Sequence, residues 1–379
     1  MLLPPFGLLL LAAVLLAGSA PGRVRRVPSQ YRTIQEAIDS AVPGDTVLVA
    51  PGRYQENIRF RGKGIVVASE YLLRHDPALI QQTVIDGSHP THPDTGTVVL
   101  FVEQEDTSAV LLGFTITGGT GTVWTDARDK TLYREGGGIL CELSAPRIEH
   151  NLIEGNEAVE VATGVLSAGG GGIRCGYAEP IIRNNVVRGN RGHYGAGIVL
   201  FHSAATVENN LVVGNAGGAG FGGSGVWVVS RLSYRLTNRI EQNTIVGNVA
   251  TLPDTAPGQL AGKGGGLTIY GPAVVRNNII WGNRQATGGP VDQSARRPPS
   301  LLFNLIQGGA AGSGTLDRDP LFTDTVRYYL APGSPAIDAG DPSSPEDAMM
   351  ETGAPGPARG GRRTDLGAYG GPGSARLLP

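Results

Sequence analysis

Net charge is what this sequence has least of. Its 31 Lys and Arg nearly balance 33 Asp and Glu, leaving −2 over 379 residues. Such a balance gives no electrostatic footprint for nucleic acid. Lysine itself is scarce, with only Lys63, Lys130 and Lys263 present. Long apolar runs are missing beyond the one at the N-terminus, Phe6 to Ala17. That run is short for a membrane span, which needs ~20 apolar residues. Small residues follow it, so residues 1–20 read as a secretory signal peptide. The charges sit on the wrong side of the run for a signal, at Arg23, Arg25 and Arg26, so an uncleaved anchor is the alternative. Once the signal is removed no stable membrane span is expected. The mature chain is read as exported, secreted or at the cell surface, and monomeric.

Glycine is the excess that matches these shortages. The 58 glycines, with 26 prolines, argue against long helices and for many tight turns. Many of them belong to a phrase that returns. SAPRIEHNLIEGN ends at Asn156, AEPIIRNNVVRGN at Asn190, SAATVENNLVVGN at Asn215, TNRIEQNTIVGN at Asn248 and GPAVVRNNIIWGN at Asn283. Upstream sits a second phrase: GGGI to Ile139, GGGGI to Ile173, GAGI to Ile198, GSGV to Val226 and GGGL to Leu267. Twelve residues separate Ile139 from Asn151, Ile173 from Asn185 and Ile198 from Asn210. The variation lies mainly between each GN and the next Gly phrase, where loops are inserted.

Within the fixed segment the period is two, the strand period. Ile173 and Cys175 point one way, Arg174 and Gly176 the other. Each coil offers a few short strands with one or two buried side chains apiece. No single coil buries a core, but stacked coils do, because the same residue type recurs at the same place. Asn tolerates left-handed backbone and its amide bonds the backbone, so the Asn residues mark corners. Stacked ~4.8 Å apart, they form an asparagine ladder. Gly155, Gly189, Gly214, Gly247 and Gly282 supply a second bend. Cys141 and Cys175 fall at the same inward position of consecutive coils. A disulfide is open to an exported protein, but neighbours in a parallel stack point alongside each other, which favours two buried thiols.

With these phrases the chain resembles the secreted bacterial right-handed parallel β-helix proteins of the pectin-lyase-like superfamily. YRTIQEAIDSAVPGDTVLVAPGRYQENI is similar to their N-terminal capping helix and first strands. Thr33-x-x-Glu36 is a capping box there, and Ile34, Ala37, Ile38 and Ala41 share one face. VLLGFTITGG resembles the repeat. DPLFTD, YYLAPGSPAIDAGDPS and RRTDLGAYGG resemble the ending of such surface proteins. The expected fold is all-β, a single-stranded right-handed parallel β-helix (a solenoid) of nine to eleven coils at ~25 residues each. The expected divisions are a signal peptide at 1–20, a linker and capping α-helix at 21–44, the β-helix at 45–310, and an irregular C-terminal cap and tail at 311–379.

Chemistry is sought on the outward side of the strands after each Gly phrase. Leu140, Arg174, Val199, Trp227 and Thr268 stand one step past the inward residue. Glu142, Phe201 and Tyr270 follow two further on, with His202 and Arg231 close by. Aromatic rings stack on sugar faces, and arginine holds a carboxylate through two bonds. The inserted loops, Thr120–Glu135, Glu157–Ala168, Arg191–Tyr194 and Asn248–Lys263, are expected to wall a groove. Trp124, Asp126, Asp129 and Lys130 would contribute to it, as would Tyr133, Arg134, His193 and Tyr194. The expected partner is a polysaccharide, with Glu142, Phe201, His202, Trp227, Arg231, Tyr270 and Trp124 as binding residues.

Two functions fit this face. One is a non-catalytic saccharide-binding or surface-interaction protein, down to an adhesion or scaffold role. The other is a lyase on a uronic-acid polymer. β-Elimination there needs a cation beside the substrate carboxylate and a base near C5. Arg174 is the candidate cation; Lys130, His193 and Tyr194 are the candidate bases. The central coils lack Asp, whereas calcium wants six or more oxygens, so no metal ligand is assigned and calcium stays unsupported by a cluster. They also lack an Asp–Asp pair of the kind glycoside hydrolysis uses. In the C-terminal region Asp338, Asp341 and Asp365 read either as turn caps or as calcium ligands with backbone carbonyls. GGGG at Gly169–Gly172 lacks GK[ST] and precedes a strand, so it is no phosphate loop.

Overall fold

A computed structural model describes residues 22–126, 130–159, 164–230, 237–251, 261–293, 298–347 and 358–378. The expected signal peptide lies outside these residues. Among those described, no helix is long and apolar enough to cross a membrane.

The chain winds as a stack of coils. One coil runs Ile173–Gly176, Ile181–Arg183, Val186–Arg188 and Arg191–Gly192. Each of these strands pairs in parallel with the matching strand one coil on. Ile173 faces Ile198, Ile182 faces Val207, and Val187 faces Val212. Repeated along the chain, this builds sheets of ten, nine, eight and five strands among the described residues. Ten strands in the longest sheet agree with the nine to eleven coils read from the repeat. Ile139, Cys141, Ile173, Cys175, Ile198, Leu200, Val226 and Val228 all enter one continuous core. Both cysteines are free and buried in it, and burial holds the Cys141 thiol well above its ordinary range.

Two rows of asparagine run along the stack. Asn151, Asn185, Asn210, Asn243, Asn278 and Asn304 form one, each Nδ2 donating to the next Oδ1 at 2.9–3.1 Å. Asn156, Asn190, Asn215, Asn248 and Asn283 form the other at 2.9–3.1 Å. Each Oδ1 after the first in its row also accepts the backbone N–H of the Asn before it, as Asn210 does from Asn185 at 3.0 Å; the first two, Asn151 and Asn156, accept from Phe114 and Gly119. The left-handed corner belongs to the residue ahead of the ladder Asn: Asn184, Asn209 and Asn277 have φ of 55°, 54° and 58°. So in NN the first Asn turns the chain and the second bonds along the stack. The second bend is glycine, with Gly189 at φ 61°. The Gly phrases answer to closeness instead. A Cβ on Gly172 would lie 2.6 Å from the Gly197 carbonyl oxygen one coil away.

The N-terminal end is closed by helix Ile34–Ser40. Thr33 caps it through a reciprocal capping box with Glu36, and Ile34, Ala37 and Ile38 are buried. The residues before it, expected as a linker, are a strand instead. Val24–Val27 pairs in parallel with Thr46–Val49 and opens the ten-stranded sheet. At the other end Tyr328–Leu330 makes only an isolated antiparallel bridge, between Leu330 and Phe322. The C-terminal segment then turns back along the coils. Asn209 Nδ2 donates to the carbonyls of Ala368 and Gly370, and Asn184 Nδ2 to that of Gly373. Tyr369, Leu377 and Leu378 pack with Tyr71, Leu152, Val186 and Leu211. Asp338, Asp341 and Asp365 accept backbone N–H groups from Gly361, Ser343, Asp338 and Arg359, so they act as turn caps.

Candidate functional site

The outward row of the eight-stranded sheet is buried. Leu140, Val199 and Thr268 have no exposed surface, and Arg174 and Trp227 keep 2% and 6%. The backbone of each Gly phrase lies against it: a Cβ on Gly136, Gly170, Gly195, Gly223 or Gly264 would come within 2.0–2.7 Å of Leu140, Arg174, Val199, Trp227 or Thr268. Gly121–Thr125 and Leu132–Glu135 form an antiparallel hairpin, and Val165–Gly169 adds a parallel strand beside it. Two of the expected loops, Thr120–Glu135 and Glu157–Ala168, thus contribute to a small side sheet completed by Thr95–Gly96; Arg191–Gly192 joins the five-stranded sheet instead, and residues 252–260 of the fourth lie outside the described residues. Tyr194 packs with Val199 and Trp227 under this cover.

Between the two layers lies a cavity of about 390 Å³. Its walls are rings: Tyr133, Tyr194, Phe201, Phe221, Trp227 and Tyr270, with Val229. Its polar groups are Asp126, Glu135 and Arg174. The Tyr194 ring centroid lies 5.1 Å from that of Trp227 and 5.8 Å from that of Phe221. Trp227 Nε1 donates to the Phe221 carbonyl at 3.1 Å, which fixes the indole.

Arg174 is where reading from sequence and structure diverge most. It is not a solvent-facing cation. Its Nε pairs with Glu135 Oε2 at 2.7 Å and its Nη1 with Glu142. Tyr194 OH donates to the other Glu135 oxygen at 2.5 Å. Burial opposes the guanidinium charge, but Glu135 and Glu142 outweigh it and hold the group above its ordinary range. Burial pushes the Glu142 carboxyl up to about 7; Arg174 pulls it down, and Glu135 and Asp126 add repulsion. Burial also holds the Tyr194 phenol well above its ordinary range, so it stays protonated.

The other expected residues divide. Phe201, Trp227, Tyr270 and Tyr194 line the cavity, and Glu142 stands behind Arg174. Trp124 faces Tyr133 across the hairpin without lining the cavity. Lys130 is exposed at the hairpin end. His193 is half-buried outside the lining, and burial lowers its pKa. His202 is a buried corner residue at φ 51°, packed against Tyr177 and Phe201. Arg134 turns away to Asp94 at 2.8 Å. Arg231 and Asp129 lie outside the described residues. Glu135 and Phe221 went unnoticed in the sequence because neither falls in the repeat. Among the described residues no group of three His, Cys, Asp or Glu converges to hold a metal.

Glu142 and a second carboxyl, Asp365, give the fold a pH dependence. Burial raises Asp365 to about 7 despite N–H bonds from Arg359 and Asp338. Both groups stand above their ordinary values of 4.5 and 3.8. A raised folded pKa adds stability that is full below the unfolded pKa and is lost as pH climbs through the folded one. Unfolding midpoints in urea are therefore expected to fall steadily from pH 5 to pH 8. Glu142 alone accounts for on the order of 3 kcal/mol. A midpoint that rises over that window would remove the buried-carboxyl account.

The family model described as "Right handed beta helix region" matches residues 109–245 and 169–296. Among solved structures the chain is similar to pectate lyase Pel9A, at 15% identity and TM-score 0.36, over 92% of this chain and 96% of that one. It is also similar to the PL6 family alginate lyase AlyGC, at 16% identity and TM-score 0.29. That match covers 82% of this chain and 55% of the alginate lyase, about half its length. No curated protein sequence matches. Similarities at this level assign no residue and no reaction. The matched repeat, the parallel register of every coil and the continuous core together make this chain a right-handed parallel β-helix protein.

Proposed function

We propose that the protein binds a saccharide in the ring-lined cavity on the outer face of the eight-stranded sheet. In this reading it is an exported, monomeric polysaccharide-binding protein that breaks no bond there. The supporting observation is the cavity itself. Six rings line it beside three charged groups, Asp126, Glu135 and Arg174. Aromatic faces take up the C–H faces of sugars, while polar groups fix orientation.

The lyase reading loses support at the same place. Arg174 already spends its guanidinium on two buried carboxylates. A uronate carboxylate entering beside them would meet repulsion rather than a free cation. Lys130 and His193 stand outside the lining, and Tyr194 donates its proton to Glu135.

Calorimetric titration with oligosaccharides of several classes tests the proposal. Phe221 is the most solvent-accessible ring of the cavity, 40% exposed, so Phe221→Ala costs little packing. Losing a stacking face worth about 1 kcal/mol should weaken binding roughly five- to tenfold. Its melting temperature should stay within a degree or two of the parent's, roughly what an exposed side chain contributes. Binding that Phe221→Ala leaves unchanged would place the saccharide elsewhere. Release of unsaturated uronate from pectate or alginate would restore the lyase reading.

A further inference from the structure

Every polar residue that lines the cavity already has a partner in the protein. Arg174 sits on Glu135 and Glu142. Glu135 also accepts the Tyr194 hydroxyl at 2.5 Å. The Tyr270 hydroxyl donates to Asp292 at 2.5 Å, and the Trp227 indole to the Phe221 carbonyl at 3.1 Å. Asp126 and Tyr133 are engaged as well; the Tyr177 hydroxyl reaches Asp126 at 3.5 Å. Even the Arg174 charge faces a ring, its guanidinium carbon 5.4 Å from the Phe201 centroid. The remaining lining side chains, Phe201, Phe221 and Val229, carry no polar atom.

An ordinary hexose has a hydroxyl on most of its carbons. Beside Asp126 or Glu135 such a group is satisfied, because a carboxylate oxygen accepts more than one donor. Against Phe201, Phe221 or Val229 it would give up water and gain no partner, which weakens binding by about tenfold per group. A methyl group in the same place loses no hydrogen bond and gains from burial. The cavity volume of about 390 Å³ lies near the lower end of the ~300–1,000 Å³ usual for ligand sites, room for one sugar residue and a small substituent.

We propose that the sugar residue taken by this cavity carries a methyl group where common sugars carry a free hydroxyl, as a 6-deoxyhexose or an O-acetyl ester does. The methyl lies against Phe201, Phe221 and Val229, and the remaining hydroxyls turn toward Asp126 and Glu135. This inference rests on the reading of the cavity as a saccharide site and is separable from it.

Two matched pairs are titrated calorimetrically into the intact protein: 6-deoxy-D-galactose with D-galactose, and an O-acetylated xylo-oligosaccharide with the same oligomer after deacetylation. In at least one pair the methyl-bearing member is expected to bind about tenfold more tightly. The pair that shows it identifies the source of the methyl. No ligand charge is involved, so added salt should change that affinity by less than about twofold. Val229 is the one aliphatic side chain lining the cavity among the described residues. Val229→Thr keeps its branched shape and adds a hydroxyl, which should narrow the preference to about threefold or less while the plain sugar binds as before.

Equal affinity within both pairs, or tighter binding of the plain member in both, would overturn the inference and leave saccharide binding standing. A preference that collapses in salt would overturn the claim that an apolar group decides it. Binding of none of the four would overturn the saccharide reading beneath it. The comparison among ligands is made on the unaltered chain, so none of these outcomes depends on how the Val229 variant folds.

Discussion

Replacing Asn210 by alanine lowers the stability of this protein by on the order of 4 kcal/mol, since each buried polar group left unpaired costs about 1–3 kcal/mol. Asn210 is a fully buried middle rung. Its Oδ1 accepts from the backbone N–H and the Nδ2 of Asn185, both at 3.0 Å. Its Nδ2 donates to the Ile182 carbonyl at 2.8 Å and to Asn243 at 3.0 Å. Alanine leaves the Asn185 N–H without its acceptor and takes one donor from the Ile182 carbonyl, in a place water does not reach. Coils contact mainly their neighbours, so the damage should also be local. Hydrogen exchange should quicken in the coils holding Asn185, Asn210 and Asn243 and stay slow around helix Ile34–Ser40. A denaturation midpoint close to the parent's would show that the rung contributes little.

Arg174→Met is expected to cost about 3–5 kcal/mol at pH 8, the usual loss when one partner of a buried ion pair is removed. Two glutamates at 2% exposure would be left facing each other without a cation. The cost should shrink at pH 5, where Glu142 can protonate. Its carboxyl already titrates near 7 with Arg174 in place, and without that cation it moves higher. Adding Glu142→Gln to Arg174→Met should return much of the loss at pH 8, because the remaining carboxylate keeps its bond from Tyr194. Urea titrations of the three proteins at both pH values decide the matter. A loss that is the same at pH 5 and pH 8 would mean the carboxylates are solvated after all.

The same residue shows how far the sequence could be read. Period two separated Arg174 from Ile173 and Cys175 correctly, because alternation is local. Outward on a strand is not the same as solvent-exposed, and Arg174 keeps only 2% of its surface. The Gly170 backbone lies against the Arg174 stem, and its partner Glu135 ends the hairpin built from Gly121–Thr125 and Leu132–Glu135, an insertion outside the repeat. A pattern that repeats reports on the stack; it carries no information about a segment that occurs once. Glu135 was missed for that reason, and so was Phe221.

The asparagines were legible for the opposite reason. Asn210 recurs with its copies at every coil, so the ladder could be foreseen from spacing alone. The φ values that give the left-handed corner to Asn184, Asn209 and Asn277 were not foreseen. In an NN pair either residue tolerates the turn, and only the stack determines which one must face inward to bond. The return of the C-terminal segment to Asn184 and Asn209 lies across more than 150 residues of chain, and no local signal marks it.

A crystal structure of the protein with its tightest-binding oligosaccharide tests the central claim most directly. The account predicts a sugar ring in the cavity between Trp227, Phe221 and Tyr270, with its polar substituents toward Asp126 and Glu135. A ligand bound on the exposed faces of the other sheets, with this cavity empty at saturating concentration, would contradict it.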